Sequence, residues 1–482
     1  MERPPADSDI NQNQNPNPNS RPRSATKYPP GPYSMLPTTL LFKFINDPIN
    51  LLSDCVQKYG DICHFKFGRQ HIYLLNHPDL IKDVLVTNNH KFVKSRGTQI
   101  IKKVVGEGLL TSEGKIHSMQ RKAIQPVFNP DRIKAYVDIM ANLGLQTSYR
   151  WKDGSEFDIH REMMQLTLAI VSKTLFGSDI EEQKAGQVAD AVRVLVEYFN
   201  RLRSPFGELF EKLPLPSNRR VQRSKKVLDD IIYKMISQRR NEPGMDGRVD
   251  LLSMLLGIMQ RQSASGETEY EMDDQQVRDQ AMTLFLAGHE TMANALTWTF
   301  YMLSQNPAIE RKLLQELEAV VGNVAADESI LPSVSHIPKL TYTETVFRES
   351  MRLYPPAWAL GRKTLQDYEA AGYTIPAGSV VIMSQYLMHR DRRYYDQPDS
   401  FVPERWLSEG IARLPRFSYF PFGGGPRSCI GEPFAWTEGI LMIAIIAHRW
   451  KIRLVPGHNV ALLPAVTLRP KYGVLVKAER RN

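Results

Sequence analysis

Phe420-Pro421-Phe422-Gly423-Gly424-Gly425-Pro426-Arg427-Ser428-Cys429-Ile430-Gly431 is a turn-rich stretch that runs straight into an apolar helical pattern ending at His448 and Arg449. Three glycines let the backbone bend tightly and approach a flat ligand, and Pro426 stiffens the turn before Cys429. Pro433 is tolerated because the first helical turn has no internal partner for its missing N–H. Cys429 is therefore expected at a helix N-terminus, where unpaired N–H groups and the helix dipole favour an anion and lower a thiol's pKa. A metal-binding thiolate suits that position, although a buried structural cysteine is the commoner fate of the residue type. A phosphate-binding loop does not fit, since neither Gly-Lys-Ser nor Gly-Lys-Thr follows and no strand pattern suited to a parallel sheet precedes.

Working outward, the longest helical pattern covers residues 273–304 and would span roughly 45 Å at 1.5 Å per residue. Asp273 and Gln276 open it as a variant capping box, and it stops before Pro307. Its middle, Ala287-Gly288-His289-Glu290-Thr291, places a glycine and charge-capable residues where an apolar core helix should continue. A buried Glu costs several kcal/mol unless paired or solvated, and a mid-helix Gly costs about 1 kcal/mol relative to Ala. Such local cost marks a functional groove; a solvated face with one tolerated Gly is the plainer alternative. A zincin site is excluded because Ala293 stands where the second His is required.

Two further segments stand out. Glu349 and Arg352 lie at i and i+3 on a helical pattern that ends at Leu353-Tyr354-Pro355-Pro356, and Phe401-Val402-Pro403-Glu404-Arg405-Trp406 follows downstream. An isolated Glu-x-x-Arg pair is common on exposed helices and contributes only tenths of a kcal/mol there.

Together these segments resemble the cytochrome P450 family, with four motifs in the family's order and spacing from Tyr59-Gly60-Asp61 to Leu468-Arg469-Pro470. The resemblance implies a heme b cofactor with Cys429 as axial ligand of the iron, Phe422 shielding the sulfur and Arg427 contacting a heme propionate. Ala287 and Gly288 would make room for dioxygen, and Glu290 and Thr291 would form the acid and alcohol pair that relays protons. Ala287, Gly288 and Thr291 lie three or four residues apart and share one helix face. Glu349, Arg352 and Arg405 would lock together as a structural trio. Heme propionates need fixed cations, for which bidentate Arg suits best, so Arg121 and Arg362 are further candidates, with a surface charge as the alternative for each. His117 stands where the family often has Trp. By the same analogy the substrate pocket is lined by a loop at 96–110, by Phe285, Ala287, Ala357 and Leu360, and by Val466 in the 464–467 segment.

The chain has 482 residues, 42% hydrophobic and 23% charged, enough apolar material for one large core. Residues 1–27, with their Asn, Gln and Pro repeats, read as a disordered tail, and 28–482 as a single domain. No continuous apolar run supplies a signal or anchor there, so a soluble, cytoplasmic protein is expected. Cys55, Cys63 and Cys429 fit no disulfide framework. A formal charge of +9, spread along the chain, suits an acidic protein partner better than nucleic acid.

The fold class is mainly α with small β-sheets (α+β). A helix is expected at 48–59, a hairpin at 62–75 broken by Gly68, then helices at 78–87, 113–126, 130–148, 159–176, 184–202, 219–240, 249–260, 273–304, 307–322, 339–353 and 432–449. Short β patterns return at 372–382 and 450–476. The resemblance adds that heme lies between the long central helix and the helix after the cysteine loop.

The function implied is a prokaryotic-type monooxygenase that activates O2 and hydroxylates or epoxidises a hydrophobic small molecule such as a fatty acid, terpene or steroid. Electrons would come from a separate ferredoxin or flavodoxin and its NAD(P)H reductase, docked on Lys115, Lys122, Arg413, Arg416 and Arg449, and the chain would act as a monomer. A peroxide-using hydroxylase, an isomerase or dehydratase, and a heme gas sensor are the alternatives. The first three commonly lack the alcohol found here at Thr291, and no signalling domain accompanies the chain to support the sensor.

Overall fold

The computed structural model describes residues 28–33, 37–178, 182–202, 207–241, 250–265, 272–323, 330–407 and 413–481; the N-terminal tail expected at 1–27 lies outside them. As the apolar periodicity predicts, the molecule is mostly helical with small sheets. The central helix, Asp274–Gln305, is capped by Asp273, whose carboxylate accepts from the Gln276 N–H at 2.7 Å. It is buried over most of its circumference, because apolar or small residues recur on every side. It packs along the helix Ile159–Phe176 and against Thr341–Leu353 and Glu432–Arg449.

Close approach in this bundle depends on glycine. A Cβ on Gly439 of Glu432–Arg449 would lie 2.2 Å from the Phe347 ring of Thr341–Leu353. One on Gly144 of Pro130–Arg150 would meet the Met442 sulfur at 3.0 Å. The cysteine helix is thus gripped from two sides, and Pro433 sits in its first turn as anticipated.

The hairpin Ile62–Phe67 with Gln70–Leu75 turns at Gly68, whose φ of +59° favours glycine. It forms one edge of a five-stranded sheet continued by Val380–Met383, Leu360–Thr364 and Phe92–Lys94. Gln70–Leu75 pairs with Val380–Met383 in parallel; the other pairs are antiparallel. A second sheet joins Glu156–Asp158, Leu475–Arg480 and Trp450–Leu454. A hairpin of Leu462–Pro464 and Leu468–Pro470 lies near the central helix.

Two ten-residue helices lie where none was expected. Pro37–Asn46 is helical, and the segment expected as a loop at 96–110 contains the helix Arg96–Val105. Ile100 and Val104 are buried at i and i+4 in the latter, a short period masked in sequence by Gly97, Gly106 and Gly108. At 78–87 the α-helix ends at Lys82 and continues as a π-turn, Asp83–Thr87.

Candidate active site

The cysteine loop is closed by one backbone bond, from the Cys429 N–H to the Phe422 carbonyl at 2.9 Å. Gly425 has φ +68°, and a Cβ there would fall 1.9 Å from the Leu85 carbonyl oxygen, so only glycine passes. Arg121, from the helix Gly114–Ile124, donates to the Ser428 carbonyl at 2.7 Å and clamps the residue beside the cysteine. The Phe422 ring lies 5.7 Å from that of Trp436.

Cys429 is deep in the protein, yet its side chain keeps accessible surface, so the sulfur faces an internal space rather than close-packed neighbours. The helix begins only at Glu432, and burial overrides the expected N-terminal effect. Burial pushes the thiol up to about 11, against a smaller opposing contribution from the Gly431 N–H.

Around the loop is a cluster that sequence alone showed only in part. Arg427 donates to the Ser112 carbonyl at 2.6 Å and pairs with Glu113. The Lys94 N–H donates to Glu113 at 2.6 Å. Burial pushes the Lys94 ammonium down to about 7, aided by the Arg362 and Arg427 guanidiniums. Burial and Arg427 likewise push Arg362 down, and its side chain donates to the Gly361 carbonyl at 3.1 Å. His117 is buried and held down to about 4 by burial, Arg427, Lys94 and Arg121, so it is neutral at pH 7. Lys94 and Glu113 carried no sequence signal; both sit beside other charges in ordinary polar contexts.

On the central helix, Ala287 and Thr291 lie one turn apart and keep accessible surface, while His289, Glu290 and Met292 are buried. The Thr291 hydroxyl donates to the Ala287 carbonyl at 2.7 Å. Gly288 serves helix packing: a Cβ there would be 2.9 Å from a Val171 methyl of Ile159–Phe176. Glu290 projects to a different side from Thr291, since i and i+1 residues do not share a face. Its carboxylate accepts from Arg469 at 2.8 Å and from the Thr467 hydroxyl. Burial pushes this acid up, but Arg469 and Thr467 together outweigh burial and hold it below the usual range. The structure therefore does not bring Glu290 and the Thr291 hydroxyl together as a hydrogen-bonded pair. The cost of a buried Glu signalled the need for a partner, but not that the partner lies far along the chain.

Glu349 and Arg352 are fully buried and paired at 2.9 Å, and Arg405 reaches the same carboxylate at 3.0 Å. Trp406 donates to it at 2.8 Å and the Val402 N–H at 3.0 Å. Arg352 spends its remaining donors on the carbonyls of His389, Pro398 and Ser400.

The model of the cytochrome P450 family matches residues 29–477. The chain belongs to the cytochrome P450 family. It is similar to cyclooctatin synthase of Streptomyces melanosporofaciens, 36% identical over 87% of this chain and 89% of that protein. Cyclooctat-9-en-7-ol 5-monooxygenase of the same organism is 34% identical over 85% and 86%. Pentalenene oxygenase of Streptomyces avermitilis is 30% identical over 89% and 92%.

Cytochrome P450 proteins bind heme b through a cysteine thiolate, and the residues here fit that group. A thiol pushed up by burial is not an anion at neutral pH alone, but a bound metal ion deprotonates a coordinating thiol. Lys94, Arg121, Arg362 and Arg427 outnumber Glu113, and the mutual repulsion within this cluster is what two propionates would relieve.

Of the residues expected in the P450 substrate pocket, one lies at the cysteine loop and two lie side by side near the central helix. Leu360 lies beside Gly423 of the cysteine loop, 3.6 Å from where a Cβ would stand. Ala357 and Val466 are joined through their neighbours: Trp358 donates to the Ala465 carbonyl at 3.0 Å, and the Leu468 N–H to the Pro356 carbonyl at 2.9 Å. Glu290, Asn294 and Trp298, at i, i+4 and i+8, bond this hairpin to the central helix. Phe285 does not join them: it is fully buried against Phe176, about 200° around the helix from Ala287 at 100° per residue. Of the basic residues expected to dock a redox partner, Lys115, Lys122, Arg413 and Arg416 are exposed. Arg449 is buried, donates to the Ile330 carbonyl at 2.8 Å and leaves that group. Among the described residues no helix is long and apolar enough to cross a membrane.

Proposed function

We propose that this monooxygenase oxidises a cyclic terpene or terpenoid, with Cys429 as the thiolate ligand of its heme and electrons supplied by separate redox proteins. What supports the ligand is one juxtaposition: a deep but accessible sulfur beside a cluster of four cations and a single carboxylate. The substrate class rests on the three Streptomyces relatives, which are named for cyclooctatin, cyclooctat-9-en-7-ol and pentalenene. Bound heme supplies O2 activation and the oxidising power.

The protein's own groups do the positioning. Arg121 holds the Ser428 carbonyl and so fixes the loop that aims the cysteine. Arg427, Arg362, Lys94 and neutral His117 would hold the propionates. The Thr291 hydroxyl, resting on the Ala287 carbonyl, holds a proton at Oγ1 on the accessible face and would deliver it there. Glu290 stays an ionised anchor of the hairpin and acts on the pocket through Arg469 and Thr467.

The test uses heme-loaded protein with a ferredoxin, its reductase and NADPH, offered cyclic terpenes and, separately, fatty acids. Terpene products are expected, and Thr291→Ala should lower product formed per NADPH consumed about tenfold or more. Unchanged coupling would remove Thr291 from proton delivery; oxidation of fatty acids alone would remove the terpene assignment. Electron transfer should also slow as salt rises, as screening of Lys115, Lys122, Arg413 and Arg416 requires. A salt-independent rate would refute the basic docking face.

A further inference from the structure

The Phe422 carbonyl accepts the bond that closes the cysteine loop, and its ring meets that of Trp436 at 5.7 Å. Trp436 stands on the helix Glu432–Arg449, seven residues after Cys429, as Phe422 stands seven before it. Trp436 and Gly439 are i and i+3, so they share the helix face that meets Thr341–Leu353. There Phe347 fills the room that Gly439 leaves, with its ring edge-on to Trp436 at 5.5 Å. The neighbouring Arg348 guanidinium lies 4.8 Å from the centre of the Trp436 ring.

Arg348 is itself held from several directions. Glu344, one turn back on the same helix, accepts from it at 2.6 Å, and the Trp406 and Tyr419 rings lie 5.5 and 6.0 Å from it. The Tyr419 hydroxyl donates to the Arg348 carbonyl at 3.1 Å. Trp406 packs on Tyr419 at 4.6 Å and donates to the buried Glu349. Contacts therefore run in series from Glu349 through Trp406, Arg348, Trp436 and Phe422 to the Cys429 backbone.

The links are of a kind that fixes an angle as well as a distance. A guanidinium is drawn to the face of an indole and stacks flat on it, as an ammonium does not. Edge-on and tilted ring pairs likewise prefer one orientation. Phe422 is followed by three glycines, which bring no side chains of their own to steady its ring.

We infer that Arg348 and Trp436 are positioning residues for the thiolate. Stacked together, they hold the Phe422 ring, and through the Phe422 carbonyl they hold the Cys429 backbone, so that the sulfur stays ligated. Their loss acts on the ligand through Phe422. This inference rests on Cys429 being the heme ligand, as proposed above.

The test follows the thiolate-specific absorption of the carbon monoxide complex in reduced, heme-loaded protein, at a guanidinium concentration below the unfolding midpoint. Trp436→Leu and Arg348→Met are each expected to lose that absorption about fivefold faster than the wild-type protein, with far-ultraviolet circular dichroism unchanged. The double variant should lose it no faster than the worse single variant, since both substitutions break the same stack. Phe176→Leu, a core loss against Phe285 and away from the loop, should lower the unfolding midpoint and leave the rate unchanged. Arg348 is 30% exposed, so Arg348→Met decides alone if Trp436→Leu fails to fold or to load heme. An unchanged rate in either single variant, losses that multiply in the double variant, or an equal loss in Phe176→Leu overturns the positioning role while leaving Cys429 as ligand. Absence of the thiolate absorption from the wild-type protein overturns the ligand reading and this inference with it.

Discussion

Glu349 sits where a lone carboxylate could not survive. It has no exposed surface, and Arg352, Arg405, Trp406 and the Val402 N–H all donate to it. Removing its charge leaves Arg352 buried without compensation, which costs more than the pair contributes. Glu349→Gln is expected to lower stability by about 3–5 kcal/mol, read from the chemical denaturation midpoint; a loss below about 1 kcal/mol would mean the pair behaves as a surface contact. The trio was legible in sequence only through family resemblance, since an exposed Glu-x-x-Arg pair looks the same. Glu290 shows the opposite case. Its burial cost was foreseeable, yet whether it served Thr291 or a distant cation depended on where Arg469 came to lie.

At the scale of elements, the helices followed from their apolar period, and Ile159–Phe176 and Glu432–Arg449 match the expected spans. Arg96–Val105 did not, because a ten-residue helix with Gly97 in its first turn and Gly106 at its end buries only Ile100, Val104 and Val105. Helix spacing was not legible either. Gly439 reads in sequence as a weak helix residue, and its role emerges only with Phe347 in place. Gly439→Ala should therefore destabilise the protein by roughly 1–3 kcal/mol despite alanine's better helix propensity. Thermal unfolding checks this, and Phe347→Leu should recover part of the loss; a stabilised Gly439→Ala protein would show that the ring can yield without cost.

The whole molecule holds several neutral histidines. Burial is the leading cause in each: it presses His64, His117, His160, His289 and His448 down to about 4 and His389 further. Their folded pKa values lie below the unfolded value of about 6.5, so between pH 6.5 and 4 the unfolded chain binds protons that the folded chain refuses. Stability is thus fully present above pH 6.5 and lost as pH falls toward 4. Glu438 opposes this trend, because burial pushes its carboxyl well above the usual range and it stays protonated when folded. Net proton uptake on unfolding should be several protons near pH 5, measured from the slope of stability against pH; a flat profile between 6.5 and 4.5 would contradict the burial of these rings.

The sequence by itself determined the mainly helical class, the cysteine loop and the positions of Thr291, Glu349, Arg352 and Arg405, because period, turn chemistry and motif spacing are local properties of the chain. Tertiary structure decided what local patterns cannot encode. It tied Glu290 to Arg469, turned Phe285 into the core and buried Arg449. It also gathered Lys94, Glu113, Arg362 and Arg427 beside the cysteine loop. The physical reason is common to all of these: the free energy of a buried charge or polar group is set by its neighbours in space, and those neighbours lie far away in sequence.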